Sequence, residues 1–218
     1  MNFNILLPSK RGECLETVID IINNTAWDIS LIEIHLGVDE DNGIVQNAAQ
    51  KSDKKWGNIF IYITKQITIQ TSEPGNLIVP NLVGYYNWLA LNFTTSKYII
   101  PMNDDALFIS ENLDIKAYEK LEEYLEDKED GIVFGITDDM LEHPHGYEGY
   151  EIPASLFPII SKAGINYFKY LFHPRFYGPT ADPHIAYEYY KLNRMIDLKD
   201  IVKISHRPEE LKKINPHL

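Results

Sequence analysis

The chain has 218 residues, of which 44% are hydrophobic and 24% are charged, a composition typical of a globular protein with one sizeable core. Its net charge of −12 argues against non-specific binding to nucleic acid, which requires a basic surface. No apolar stretch approaches the roughly 18 residues that span a bilayer, and a lone cysteine, Cys14, excludes an internal disulfide framework and favours a reducing, cytoplasmic compartment.

The first hundred residues alternate between strand and helix patterns. The apolar run at 3–7 is too short for a signal peptide and predicts a first strand. Helical spacing of apolar residues follows in "ECLETVIDIINNT", and strand patterns recur in "LIEIHLGVDE" and at 58–64. A helix near 81–95 then leads into the strand that ends at "NDD", 103–105. This order predicts βαβ units and a largely parallel sheet.

The second half is less regular. The patterns predict, in order, a helix at 113–127, a strand at 131–136, a polar loop at 137–154, an amphipathic helix at 158–171, a helix at 183–193 and a last strand at 200–206. We find no flexible linker and no internal repeat in the sequence, so we expect one domain over residues 1–218.

Three polar clusters fall at the ends of predicted strands, at 8–12, 39–43 and 103–105. Ligands of parallel sheets bind at the carboxyl ends of strands. Asp104 and Asp105 offer oxygen ligands for Mg²⁺ or Mn²⁺, and such a cation neutralises charge on a diphosphate leaving group. The alternative is that they cap a turn. A second pair, Asp138 and Asp139, opens a long polar loop, and we interpret it as solvated.

Several segments, in this order, carry a family resemblance: "LLPSKRGECLETVIDII", "IEIHLGVDEDNG", "GYYNWLALNFTTSKYIIPMNDDALF", "FPIISKAGINYF", "FYGPTADPHIAYEYYKLNR" and "KISHR". Together they resemble the GT-A-fold glycosyltransferases, of the compact kind related to family-2 enzymes, over nearly the whole chain. The resemblance implies a Rossmann-like α/β fold with a central, mostly parallel mixed sheet flanked by helices. It also implies a nucleotide-sugar half at about 1–108 and an acceptor half at about 109–218.

The resemblance assigns roles to particular residues. Donor binding would use Pro8, Ser9, Arg11, Asp39 and Asp104, with Asp39 accepting a hydrogen bond from the base. Metal binding would fall to Asp105 in the DxD-like motif and to His206. Asp182 would act as the catalytic base. Asn103 stands where the family has its first acid.

Each of these roles has a structural alternative. Arg11 also fits a plain surface cation, and a lone histidine such as His206 is usually structural. Asp39 stands beside two other acids, so which of the three points inward is open. Asp182, followed by a proline, fits a helix N-cap as well as a base that deprotonates an acceptor hydroxyl.

The resemblance implies an inverting, Mn²⁺- or Mg²⁺-dependent hexosyltransferase. Its donor would be a UDP- or GDP-sugar and its acceptor a glycan, lipid or protein hydroxyl. One alternative is a sugar nucleotidyltransferase, although "PSKRG" lacks the Gly-rich loop expected there. A two-metal nuclease is disfavoured by the acidic composition. A catalytically inactive relative that binds glycans or nucleotide sugars also remains open, because of Asn103.

Overall fold

The computed structural model describes residues 2–10, 12–70, 78–137, 155–176 and 181–206. The strands are β1 Phe3–Ser9, β2 Ile32–Asp39, β3 Ile59–Thr64, β4 Thr68–Gln70, β5 Ile78–Pro80, β6 Tyr98–Pro101, β7 Ala106–Phe108, β8 Phe134–Ile136, β9 Ile159–Ser161, β10 Met195–Asp197 and β11 Ile204–His206. The helices are α1 Gly12–Thr25, α2 Gly43–Trp56, α3 Leu82–Asn92, α4 Leu113–Leu125, α5 Lys162–Phe168 and α6 Ala181–Lys191, with one short 3₁₀ turn at Ile29–Leu31.

Seven strands form the central sheet in the order β10-β8-β9-β6-β1-β2-β3. Within this sheet, β1, β2, β3 and β6 pair in parallel, as the alternation of strand and helix predicts. β9 runs antiparallel to both of its neighbours. The sheet is therefore mixed and mostly parallel, and the predicted α/β class is confirmed.

Helices cover both faces of the sheet. Ile5 and Leu7 of β1 pack into one core with residues of α1 and α2. Leu6, between them, faces a second core that includes residues of α3, α5 and α6. Burial on both faces explains why β2 is buried at every position except Glu33, although its apolar residues alternate in the sequence.

Several elements differ from the sequence predictions. The sequence patterns gave no helix at α2, no β4–β5 hairpin and no strands at β7 and β10. The helix predicted from 158 begins only at α5, because Ile159–Ser161 fills the place between β6 and β8. The predicted last strand is confirmed only at β11, since residues 198–202 form a turn in which the Leu198 carbonyl accepts from the N–H groups of Ile201 and Val202.

A short antiparallel pair, β7–β11, lies outside the large sheet. Its register pairs His206 with Ala106, the residue after Asp105. The pairing brings the end of the described chain beside the acidic motif. Within the part of the chain that the structure describes, no helix is long and apolar enough to cross a membrane.

Candidate active site

A cavity of about 330 Å³ opens at the carboxyl ends of β1 and β2. Ten residues line it, from β1 and the residue after it, from β2, from α3 and from the acidic turn at 103–105: Pro8, Ser9, Lys10, Gly37, Asp39, Leu82, Tyr85, Asn103, Asp104 and Asp105. Five predicted site residues, which lie up to almost a hundred positions apart in sequence, therefore share one cavity. They are Pro8, Ser9, Asp39, Asp104 and Asp105.

Asp104 ties the end of β1 to the acidic turn. Its Oδ2 accepts from the Ser9 hydroxyl at 3.1 Å and from the Lys10 N–H at 3.0 Å. The Lys10 carbonyl in turn accepts from the Asn42 side chain at 3.2 Å, and Asn42 caps α2 through the Val45 N–H. The backbone after β1 is thus held on both sides, by the acidic turn and by the cap of α2.

Asp39, at the end of β2, is 5% exposed. Its Oδ1 accepts from the Tyr85 hydroxyl, and its Oδ2 lies 3.9 Å from the Lys10 ammonium. Burial raises the pKa of the Asp39 carboxyl above its ordinary value, and the negative charge of Asp41 raises that pKa further. The positive charge of Lys10 and a hydrogen bond from Gln66 both lower the pKa and so oppose the rise. Of the three neighbouring acids, Asp39 is the one that lines the cavity.

Asn103 contacts a buried tyrosine of α3, Tyr86. The buried hydroxyl of Tyr86 lies 2.7 Å from the Met102 carbonyl and 2.9 Å from Asn103 Oδ1. Burial raises the pKa of Tyr86 well above its ordinary value, and the negative charges of Asp182, Asp104 and Asp105 raise it further. Tyr86 therefore lies within electrostatic range of both the acidic turn and α6.

The start of α6 corrects one interpretation of Asp182. Among the described residues the helix begins at Ala181, and Asp182 lies inside it, in the first turn, and is not the N-cap. Pro183 likewise lies inside the helix and not at its first position. A carboxylate in the first turn still interacts favourably with the helix dipole. Its role as catalytic base stays a prediction.

Helix α3 connects the two halves of the chain at this point. The Asn87 side chain accepts from the N–H groups of Leu171 and Phe172 and donates to the Phe172 carbonyl at 2.7 Å. The Phe172 ring packs edge-on against Tyr86, with 5.5 Å between ring centres. The turn after α5 is thereby held against α3, next to the tyrosine that contacts Asn103.

Some of the side chains in the cavity are of the type that binds a divalent cation. Asp104 and Asp105 line the same cavity and supply carboxylate oxygens, the ligand type that Mg²⁺ and Mn²⁺ prefer. The β7–β11 register brings the backbone of His206 beside them, whereas its side chain lies outside the described structure. Among the described side chains, no group of three or more histidines, cysteines or acids is placed to hold a metal.

Two predicted features fall where the structure gives no description. Arg11 lies outside the described residues, and so do Asp138 and Asp139. The donor role of Arg11 and the interpretation of the second acidic pair therefore stay predictions.

The sequence patterns missed two polar residues that shape the cavity. Lys10 is the partner of both Asp104 and Asp39, and Tyr85 holds Asp39. Lys10 carried a signal, since it lies inside the polar cluster at 8–12. Tyr85 carried none, because a tyrosine on an apolar helix is indistinguishable from a core aromatic until the helix is placed.

Comparison with known proteins identifies the class of fold. No family model and no curated protein matches the sequence, but solved glycosyltransferases match the structure. S. aureus TarS 1–349 aligns at TM-score 0.65 and 12% identity, covering 98% of this chain and 63% of that one. Its complex with UDP-GlcNAc aligns at TM-score 0.60 and 14% identity, covering 92% and 56%.

A second enzyme gives the same result. The mannosyltransferase PcManGT from Pyrobaculum calidifontis, in complex with GDP-Man and Mn²⁺, aligns at TM-score 0.62 and 11% identity, covering 92% of this chain and 55% of that one. This chain thus spans between about half and two thirds of the length of these structures. The predicted GT-A glycosyltransferase fold is confirmed.

Proposed function

We propose that the chain is a metal-dependent glycosyltransferase that moves a hexose from a nucleoside-diphosphate donor to a hydroxyl acceptor with inversion. The observation that carries this proposal is the shared cavity, in which two acids of the DxD-like turn meet the loop after β1 and the acid at the end of β2. The same three parts are implied by the resemblance to GT-A enzymes. We also propose that residues 1–218 act as one domain in the cytoplasm.

The base, the nucleotide and the diphosphate of the donor each have a matching group. Asp39 accepts from the base, while Pro8, Ser9 and the loop that continues to Arg11 border the nucleotide. Asp105 and His206 would hold Mn²⁺ or Mg²⁺, and Asp104 positions the β1 loop beside them. The cation would supply positive charge that offsets the charge of the departing diphosphate.

Asp182 acts on the acceptor. Its carboxylate takes the proton of the acceptor hydroxyl, whose oxygen then forms a bond to the anomeric carbon. The bond from that carbon to the diphosphate oxygen breaks, and the nucleoside diphosphate leaves with the electron pair. The electrostatic proximity of Asp182 to Tyr86, and of Tyr86 to the acidic turn, supports this placement.

The test is a thermal-shift and turnover panel with UDP-GlcNAc, UDP-glucose and GDP-mannose, each with and without Mn²⁺. A donor at a hundred times its dissociation constant stabilises the protein by about 2.7 kcal/mol. We expect Asp105→Asn to abolish the Mn²⁺-dependent part of the shift and His206→Ala to weaken it less, because water replaces one neutral ligand.

Asp200→Asn is the matched control, since Asp200 is exposed and does not line the cavity. A Mn²⁺-dependent shift that survives in Asp105→Asn would contradict the metal assignment. Donor binding without any turnover, across glycan, lipid and peptide acceptors, would instead favour the inactive binding relative that Asn103 suggests.

A further inference from the structure

One of the two carboxylate oxygens of Asp39 is occupied by a buried protein group. The Tyr85 hydroxyl donates to Oδ1, and the Ile67 N–H donates to that hydroxyl at 3.1 Å. Because a phenol has a single proton, the Ile67 bond leaves that proton directed at Asp39. Tyr85 is only 3% exposed, so solvent has little access to compete for this bond.

Tyr85 is also confined by its surroundings. A β-carbon added at Gly37 would lie 3.5 Å from the Tyr85 ring and 3.3 Å from Leu89. Helix α3 therefore packs directly against the backbone of β2, and the Tyr85 ring has little room to turn away. Its hydroxyl is thereby held beside Asp39 in the wall of the cavity.

The other neighbours of Asp39 are able to move. Lys10 lies 3.9 Å from Oδ2, beyond ordinary hydrogen-bond length, and its side chain is 44% exposed. Gln66 is also exposed. Both side chains can swing into solvent when a ligand enters, which leaves Oδ2 as the acceptor that a nucleotide base meets.

The bases differ in how many donors they offer to such a carboxylate. Guanine presents a ring N–H together with an adjacent amino group, and the pair matches both oxygens of one carboxylate. Uracil presents one ring N–H between two carbonyl groups. Uracil is satisfied by Oδ2 alone. The guanine amino group would have to share Oδ1 with the buried Tyr85 hydroxyl, and a donor that is poorly paired is costly in a desolvated site.

We propose that Tyr85 makes this a uridine site: by occupying Oδ1 of Asp39, it selects uridine diphosphate over guanosine diphosphate. The inference rests on the proposed function, because it takes Asp39 as the contact to the base. It narrows the donor from a UDP- or GDP-sugar to a UDP-sugar and names the residue that sets the choice.

Calorimetric titrations with four nucleotides test the proposal on the wild-type protein. We expect UDP to bind about tenfold or more tightly than GDP, and N3-methyl-UDP, which lacks the ring N–H, to lose a similar factor. Inosine diphosphate is GDP without the amino group, so it escapes that cost and should bind about fivefold or more tightly than GDP. GDP binding as tightly as inosine diphosphate or more tightly, or more tightly than UDP, would overturn the proposal.

Tyr85→Phe is the matched variant, since it removes only the hydroxyl. Freeing Oδ1 should let the guanine amino group bind, so that GDP gains about fivefold or more over inosine diphosphate while UDP does not gain. Unchanged ratios in a folded Tyr85→Phe protein would overturn the role of Tyr85. If none of the four nucleotides binds the wild type, the proposed function itself fails, which is a different result from a wrong base preference.

Discussion

Removing the Asp104 carboxylate should detach the loop after β1 from the acidic turn. In the variant Asp104→Ala, the Ser9 hydroxyl and the Lys10 N–H both lose their acceptor. The Asn42 bond to the Lys10 carbonyl remains. The loop therefore keeps its link to α2 but loses the link that holds it against the acidic motif.

The magnitude follows from the two lost bonds. Hydrogen bonds to a charged acceptor contribute about 1.5–3 kcal/mol each, so the pair contributes at most about 3–6 kcal/mol. Asp104 is 5% exposed, and deleting a buried carboxylate also relieves its desolvation. We therefore expect the low end, a loss of about 3 kcal/mol in the free energy of unfolding. Asp104→Asn, which keeps an acceptor oxygen at neutral strength, should lose about half as much.

Urea denaturation measures the stability, and calorimetric titration of UDP in EDTA measures nucleotide affinity without any contribution from metal. Asp114→Ala is the matched control, because its carboxylate also accepts two hydrogen bonds, here from the N–H groups of Trp27 and Asp28 outside the cavity. Both variants should lose stability, but only Asp104→Ala should also bind UDP about tenfold or more weakly. Wild-type UDP affinity in a folded Asp104→Ala protein would refute the idea that this carboxylate shapes the nucleotide loop.

Three further changes test other parts of the structure. Asp182→Asn should keep stability within about 1 kcal/mol, the scale of a first-turn dipole interaction, and lose turnover by about 10²–10⁴; turnover within a few-fold of wild type would leave Asp182 a helix-terminus residue. Gly37→Ala should weaken UDP binding while Gly43→Ala does not, since only the first meets α3 and the second meets nothing within 4 Å; equal UDP affinities in titration would contradict this. Burial lowers the pKa of His35, so as the pH falls below about 6.5 the unfolded state takes up a proton before the folded state does. The free energy of unfolding therefore has its full value above that pH and falls below it. In urea denaturation, His35→Gln should lose less free energy of unfolding than wild type over the same fall in pH.

The sequence could predict the sheet strands β1, β2, β3, β6 and β8 because their signal is local. The buried strands carry uninterrupted or alternating apolar runs, and α1 and α4 show clear helical spacing, so each element is recognisable by itself. Helix α2 was missed because its buried side is narrow: only Val45, Ala48, Ala49 and Ser52 are buried, and lysines fill its last turn. Such a helix is formed mainly by packing against its neighbours rather than by a pattern of its own.

The short strand β9 shows a different limit. The three residues Ile159–Ser161 are apolar enough to continue into a helix, and periodicity cannot separate the two states over such a length. Their state is decided by the open position between β6 and β8. Ser161 then ends the strand and caps α5, with its hydroxyl accepting from the Gly164 N–H at 3.2 Å.

The candidate site divides in the same way. The acids at the ends of strands were predictable, because strand ends can be read from sequence and parallel strands meet at one edge. Tyr85 was not, because its function depends on the depth at which α3 packs on β2, and that depth is set by the missing side chain of Gly37, almost fifty residues earlier. A group that acts by occupying one oxygen of another residue leaves no pattern in its own neighbourhood. The part of the site that we infer to choose the base is therefore the part that only the packed structure could reveal.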